Sequence, residues 1–173
     1  MTRVLVTVGQ QLPFDRLIKI ADQCAANYRD WHWLAQIGAG DYRPQHMHAV
    51  TGLDQAGFEQ ALAESDIVMC HAGIGTIMQA LALRRPVLVM ARDAAMGEHR
   101  NQHQQATLNR LRHLPGVYPI SRLSDASDIL SDLAATLNTD AKSTLASGFD
   151  SGGADPRLLA MVDGFIREAS ERG

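Results

Sequence analysis

Apolar residues along the chain fall into two patterns that take turns. Short unbroken runs, such as Val4-Leu5-Val6-Thr7-Val8, alternate with longer stretches in which apolar positions recur every three or four residues. An unbroken β-branched run marks a strand buried on both faces, as in a parallel sheet, whereas the longer spacing marks the core-facing stripe of a helix. The first strand, Arg3–Val8, ends at Gly9. Phe14, Leu17, Ile18 and Ala21 follow at helical spacing, with Pro13 just ahead of the first turn, where its missing N–H does no harm. The same alternation predicts a strand from Trp31 to Ile37 ending at Gly38, a helix over Phe58–Ala63, a strand over Ile67–Cys70 and a helix over Thr76–Leu83 stopped by Pro86. Val87–Met90 reads as a further buried strand, Asn101–Leu111 as a helix, Val117–Ile120 as a last short strand and Ala126–Leu137 as another helix.

Strand and helix in alternation is the pattern of an α/β protein. The expected architecture is therefore a single Rossmann-like domain with a parallel sheet of about six strands flanked by helices. At 173 residues the chain has the size of one such domain. The expected organisation is a folded unit over 1–137, a flexible connector over 138–155 rich in Ser, Asp, Gly and Ala, and a C-terminal helix within 156–173 that packs on the same domain.

Composition removes several functional classes. Sixteen Lys and Arg against nineteen Asp and Glu leave a net charge of −3, so the basic field that holds a duplex is missing and nucleic acid is not an expected partner. No apolar run reaches the roughly 18 residues of a membrane span, and Val4–Val8 is too short for the hydrophobic part of a signal peptide. The expectation is a cytoplasmic protein. Cys24 and Cys70 lie far apart without ligand spacing, which points to reduced core residues rather than a disulfide or a zinc site. Charge is uneven: six arginines between Arg84 and Arg112 face only Asp93 and Glu98, while Ser121–Asp155 carries six aspartates against Arg122 and Lys142. A solvated surface and an anion- or partner-binding face are both open for the basic stretch.

The chemistry concentrates in Ile67-Val68-Met69-Cys70-His71-Ala72-Gly73-Ile74-Gly75-Thr76-Ile77-Met78-Gln79, a strand, a glycine-bearing turn and a helix start. In an open parallel sheet such a turn lies at the carboxyl end of a strand, where ligands bind. The first helical N–H groups lack backbone partners and sit at the positive end of the helix dipole, so a phosphate fits there without an added cation. Gly73 and Gly75 allow close approach, Thr76 adds a hydroxyl, and Gln79 follows one turn later on the same face. The turn alone equally admits a tight bend with His71 as a core histidine. It is not a P-loop, since no Gly-Lys-Ser/Thr follows, and Met78 stands where a dinucleotide fingerprint has its third glycine. A second polar group follows the next strand: Arg92, Gly97, Glu98, His99, Asn101, Gln102, His103 and Gln104. Amides and imidazoles donate and accept in fixed directions, which suits the hydroxyls of a sugar. Two polar loops from neighbouring strands, one fit for a diphosphate and one for a sugar, point to a nucleotide-sugar site.

Five segments then occur in an order that resembles one family. They are Val6-Thr7-Val8-Gly9 with Pro13-Phe14-Asp15-Arg16-Leu17-Ile18, Gln36-Ile37-Gly38, Ser65-Asp66-Ile67-Val68, His71-Ala72-Gly73-Ile74-Gly75-Thr76, and Arg92 with Glu98-His99 and His103-Gln104. The chain resembles the nucleotide-sugar-binding half of the GT-B glycosyltransferases related to the peptidoglycan UDP-GlcNAc transferase. The likeness is greatest to the small catalytic subunits of split enzymes, both the eukaryotic dolichol-pyrophosphate type and the bacterial exopolysaccharide (PssE-like) type. The resemblance implies that Gly73, Gly75 and Thr76 hold the UDP diphosphate and Gln79 the ribose, while Glu98, His99, His103 and Gln104 serve the donor sugar, His103 and Gln104 by facing it and Glu98 and His99 by shaping that loop. His71 and Arg92 are supporting residues, and Gly9 and Gln10 offer a contact from the first loop. Two positions depart from the family pattern: Gln79 stands where a ribose-binding glutamate is usual, and Gln10 where a threonine usually follows the glycine.

A GT-B enzyme works between two such domains, and this chain has room for one. The resemblance implies a membrane-associated partner subunit that supplies the acceptor site and the general base, a UDP-sugar donor, a lipid-linked sugar acceptor, and inverting transfer with no metal or other cofactor. Glu64-Ser65-Asp66 is the nearest approach to an Asp-x-Asp metal motif, and it precedes a strand, at the wrong end of the sheet. The arginines between Arg84 and Arg112 are candidates for contact with the partner or with anionic headgroups. Two competing readings are a non-catalytic UDP-sugar-binding or regulatory subunit and, from the generic α/β pattern, a nicotinamide or flavin oxidoreductase.

Overall fold

A computed structural model describes residues 1–98 and 103–138. The elements follow as β1 (Arg3–Thr7), α1 (Asp15–Asn27), β2 (His32–Gln36), β3 (His48–Val50), α2 (Gln55–Glu64), β4 (Ile67–His71), α3 (Ile74–Ala82), β5 (Val87–Met90), α4 (His103–Leu111), β6 (Val117–Pro119) and α5 (Leu123–Asn138). The strands form one sheet in the order β3-β2-β1-β4-β5-β6, and every neighbouring pair is parallel. The α/β class and the six-stranded parallel sheet agree with the sequence reading. The expected connector over 138–155 and helix within 156–173 lie, apart from Asn138, outside the described residues.

Successive side chains of a strand point to opposite faces, and the apolar runs use both. Val4, Val6 and Val8 of the first strand join Ile67 and Met69 of β4 and Leu88 and Met90 of β5 in a core beneath α1 and α5. Leu5, Val68, Cys70, Val87 and Val89 face the other way, into a second core covered by Leu62 of α2, Ile77 and Leu81 of α3, and Leu108 and Leu111 of α4. Cys24 and Cys70 are both buried and free, and burial pushes the Cys24 thiol up to about 11.

Strand β3 has no counterpart among the predicted strands. It is three residues long and at most partly buried, so it carries no apolar run, and only pairing with β2 defines it. Helix α2 also starts earlier than its apolar spacing indicates, at Gln55 behind the N-cap Asp54, whose side chain accepts from Gly57 N–H at 2.8 Å. The long β2–β3 connection is held by carboxylates of α1. Asp15 accepts from the N–H groups of Asp41 and Tyr42, and buried Asp22 accepts from those of Gln45 and His46 and from the Tyr42 hydroxyl.

The basic stretch does not form one face. Arg84 and Arg85 lie between the end of α3 and the start of β5, with Arg85 donating to Ala63 O, whereas Arg92 is buried beyond the opposite end of β5. A single surface for partner or headgroup contact that includes all three is therefore excluded. Arg100 lies outside the described residues.

Candidate functional site

The strand order reverses at β1: the chain runs outward through β2 and β3, then returns to place β4 on the other side. The crevice beyond the carboxyl ends of β1 and β4 is the place where such sheets bind ligands. The β1–α1 loop, the β4–α3 turn and the β5–α4 loop meet there.

The β4–α3 turn is open by construction. Gly73 is the N-cap of α3, no side chain caps the helix, and its first turn carries no acid. The first intrahelical bond runs from Ile77 N–H to Gly73 O, so the N–H groups of Ile74, Gly75 and Thr76 have no helical partner. Gly75 is exposed, Thr76 half-buried and Gln79 exposed, while a β-carbon at Gly75 would meet nothing within 4 Å. Gly73 differs. A β-carbon there would overlap Nε2 of His71, and one at Gly9 would lie 2.7 Å from Cε1 of the same ring. His71 thus fills the space between the first loop and the β4 turn, which makes both glycines a packing requirement. Gly9 adopts φ +76°, and its N–H donates to Thr7 Oγ1, which in turn donates to Gln36 Oε1 at 2.8 Å. Gln10 is exposed next to it.

Two arginines lace the first loop to the third in opposite directions. From the end of β5, buried Arg92 sends its guanidinium to Val8 O at 2.7 Å and Leu12 O at 2.6 Å. From the first turn of α1, Arg16 reaches back to Ala91 O at 3.1 Å and forms two parallel bonds to Glu98, Nε to Oε1 at 2.8 Å and Nη2 to Oε2 at 2.7 Å. Both guanidiniums lie 5.3 Å from the centre of the Phe14 ring. The hydrogen-bonded carboxylate of Glu98 holds the Arg16 guanidinium above its ordinary pKa, whereas burial lowers that of Arg92 and Glu98 only partly offsets it. Glu98 Oε2 also accepts from Asp93 N–H at 2.8 Å, and Gln104 Oε1 accepts from Arg92 N–H at 3.0 Å.

The sequence-predicted residues therefore divide. Gly73, Gly75, Thr76 and Gln79 line one turn and its helix at the crevice. Glu98, read from the sequence as shaping the sugar loop, and Gln104, read as facing the sugar, both direct side-chain oxygens at the β5–α4 backbone and build that loop. His103 begins α4 and is exposed. His99 lies outside the described residues. Arg16 is a residue that the sequence reading left without a role. Its only signal was its place in the Pro13–Ile18 segment, because its partner is 82 positions away. Glu64 and Asp66 bind Arg3 at the amino end of the sheet, away from the crevice.

Comparison with known proteins places this geometry. Residues 3–114 match the Glycosyltransferase family 28 C-terminal domain. Over 74 residues the chain is 34% identical to the UDP-N-acetylglucosamine transferase subunit ALG13 of Saccharomyces cerevisiae, a match covering 39% of this chain and 37% of the relative. A protein of the same name from Debaryomyces hansenii is 39% identical over 41 residues, covering 24% and 19%. The chain matches less than half the length of these curated relatives. Among solved structures, the glycosyltransferase of kitacinnamycin superposes with a TM-score of 0.61 at 20% identity, over 85% of this chain and 38% of that one. The solution structure of ALG13 gives 0.51 at 16%, over 79% and 86%. At these identities the superpositions speak for the fold, which corresponds to one half of a GT-B architecture.

Proposed function

Because the chain belongs to the Glycosyltransferase family 28 C-terminal domain family, we propose that it is the donor-binding subunit of a two-component glycosyltransferase that moves a hexose-type sugar from a UDP-sugar to a lipid-linked acceptor. The observation that carries this reading is the bare amino end of α3, capped by Gly73 and placed at the point where the strand order reverses. Three N–H groups and the helix dipole converge there on a position suited to a diphosphate. Gln79, one turn along, faces a ribose, and the β5–α4 loop borders the sugar.

In the transfer, an acceptor hydroxyl attacks the anomeric carbon while the bond from that carbon to the diphosphate oxygen breaks. The hydroxyl proton passes to a general base contributed by the partner, and the UDP leaves with the electron pair. Negative charge grows on the departing oxygen as the bond breaks. Preorganised donors at α3 stabilise that charge without reorganising. No helix among the described residues is long and apolar enough to cross a membrane. A membrane-associated partner then brings this subunit to the cytoplasmic face, where lipid-linked acceptors are available.

A thermal-shift panel of UDP, UDP-sugars, ADP, GDP and NAD tests the donor assignment. A ligand at about a hundred times its dissociation constant adds roughly 2.7 kcal/mol. Stabilisation by uridine ligands alone is expected, and a shift with NAD instead would select an oxidoreductase. Co-expression with the candidate partner, followed by a transfer assay, separates a catalytic subunit from a binding-only one.

A further inference from the structure

We propose that Arg16 is a positioning residue that acts through Glu98 to hold Asp93–Glu98, the described part of the β5–α4 loop, in the pose that receives the donor sugar. This rests on the donor-site reading above. The loop closes on itself through short-range bonds: Met96 and Glu98 N–H to Asp93 O, Gly97 N–H to Ala94 O, and Ala95 N–H to Asp93 Oδ1, with Gly97 at φ +72° making the turn. Those bonds fix its shape but not its place over the sheet. Arg92 ties the start of the loop to Val8 O and Leu12 O, and Arg16 reaches Ala91 O, whereas Glu98 is where the far end of this segment meets α1.

A guanidinium fork sets orientation as well as distance, which a single bond or a lysine does not. The pair links α1, which follows β1, to the residues that follow β5. Arg16 and Glu98 retain 27% and 13% side-chain exposure, and a cleft of about 180 Å³ beyond Arg16, lined also by Asn109, Ile120 and Asp125, gives solvent access. Arg92 separately secures the start of the loop to Val8 and Leu12, which leaves its Glu98 end to the pair. The Arg16–Glu98 pair is therefore free to specialise in the loop that borders the sugar, where a displacement of an ångström is costly to binding.

The test is calorimetric titration of the full chain with UDP, UDP-GlcNAc and UDP-glucose. In the wild type, one UDP-sugar is expected to bind more tightly than UDP. Arg16→Gln and Glu98→Gln should each weaken that UDP-sugar about tenfold, leave UDP within twofold, and show no further loss when combined. Arg16→Lys keeps the charge beside Phe14 and serves if Arg16→Gln unfolds; it too should lose the sugar preference. Equal weakening of UDP and UDP-sugar, additive losses in the double variant, or an unchanged preference would each overturn the proposal. A wild type that binds UDP and the UDP-sugars equally would also overturn it. A wild type that binds no uridine ligand would overturn the donor-site reading itself.

Discussion

Helices α2 and α3 both begin at the carboxyl edge of the sheet, one leading into β4 and the other leaving it, and they treat their first turns in opposite ways. At α2, Asp54 places a carboxylate over the free N–H groups and bonds that of Gly57. At α3 the N-cap is Gly73, which makes no side-chain cap bond, and the first turn carries no acid. Capping by Asp stabilises a helix by about 1 kcal/mol, so an uncapped end forgoes stability unless something else arrives to use it. A capped end is satisfied within the protein. An open end at a topological switch point is where an anionic ligand completes the structure.

The comparison breaks most sharply if α3 is made to resemble α2. Gly75→Asp puts a carboxylate in the first turn, where a β-carbon has open space. It should raise stability by about 0.5–1 kcal/mol through the helix dipole and weaken UDP about a hundredfold, some 2.7 kcal/mol, by charge repulsion. Thermal melting and calorimetric titration of the same sample check both signs.

Next in size is a contrast within the turn itself. Gly73→Ala should cost about 1–3 kcal/mol because the new methyl overlaps His71. Gly75→Ala should instead stabilise by up to about 1 kcal/mol, the ordinary gain of replacing glycine in a helix. Urea denaturation separates them, and two losses of equal size would mean that His71 does not discriminate the positions.

Smaller still, Asp54→Ala should cost about 1 kcal/mol and leave UDP affinity unchanged, since that cap serves α2 alone. A parallel fall in affinity would show that the two helix ends are coupled.

Last, and without effect at neutral pH, is the acid response of Asp22. Burial raises its pKa, but bonds from the Gln45 and His46 N–H groups and the Tyr42 hydroxyl outweigh this and leave it below the ordinary carboxylate value. The folded state therefore holds its proton less tightly than the unfolded one. The contribution is complete above the unfolded value of about 4 and is lost as pH falls through the lower folded one. The melting temperature of the wild type should drop in that acid range, and Asp22→Asn should flatten the drop.

How far the sequence reads these features depends on how local each one is. Five strands and the order of helices were legible because each is an apolar run or a periodic stripe complete within a dozen residues. The α3 turn was legible for the same reason, as Gly73, Gly75 and Thr76 lie in one short segment behind a buried strand. The start of α2 was not, because Gln55, Ala56 and Gly57 precede Phe58, the first large apolar residue packed against the core, and only the Asp54 cap marks the boundary. Strand β3 was not, because three residues at a sheet edge bury too little to leave a pattern.

The sequence alone determined the alternation of strand and helix, the burial of the strands on both faces and the glycine turn ahead of α3, since these follow from side-chain period and backbone freedom. Only the tertiary structure decided that Arg16 meets Glu98, that Arg92 reaches Val8 and Leu12, and that one histidine ring occupies the space left by Gly9 and Gly73. Apart from that of His71 with Gly73, those contacts join residues 62 to 84 positions apart in three of the loops at one edge of the sheet. Which loops become neighbours depends on strand order, and strand order is set by how the crossovers pack, a property that no stretch of local periodicity contains.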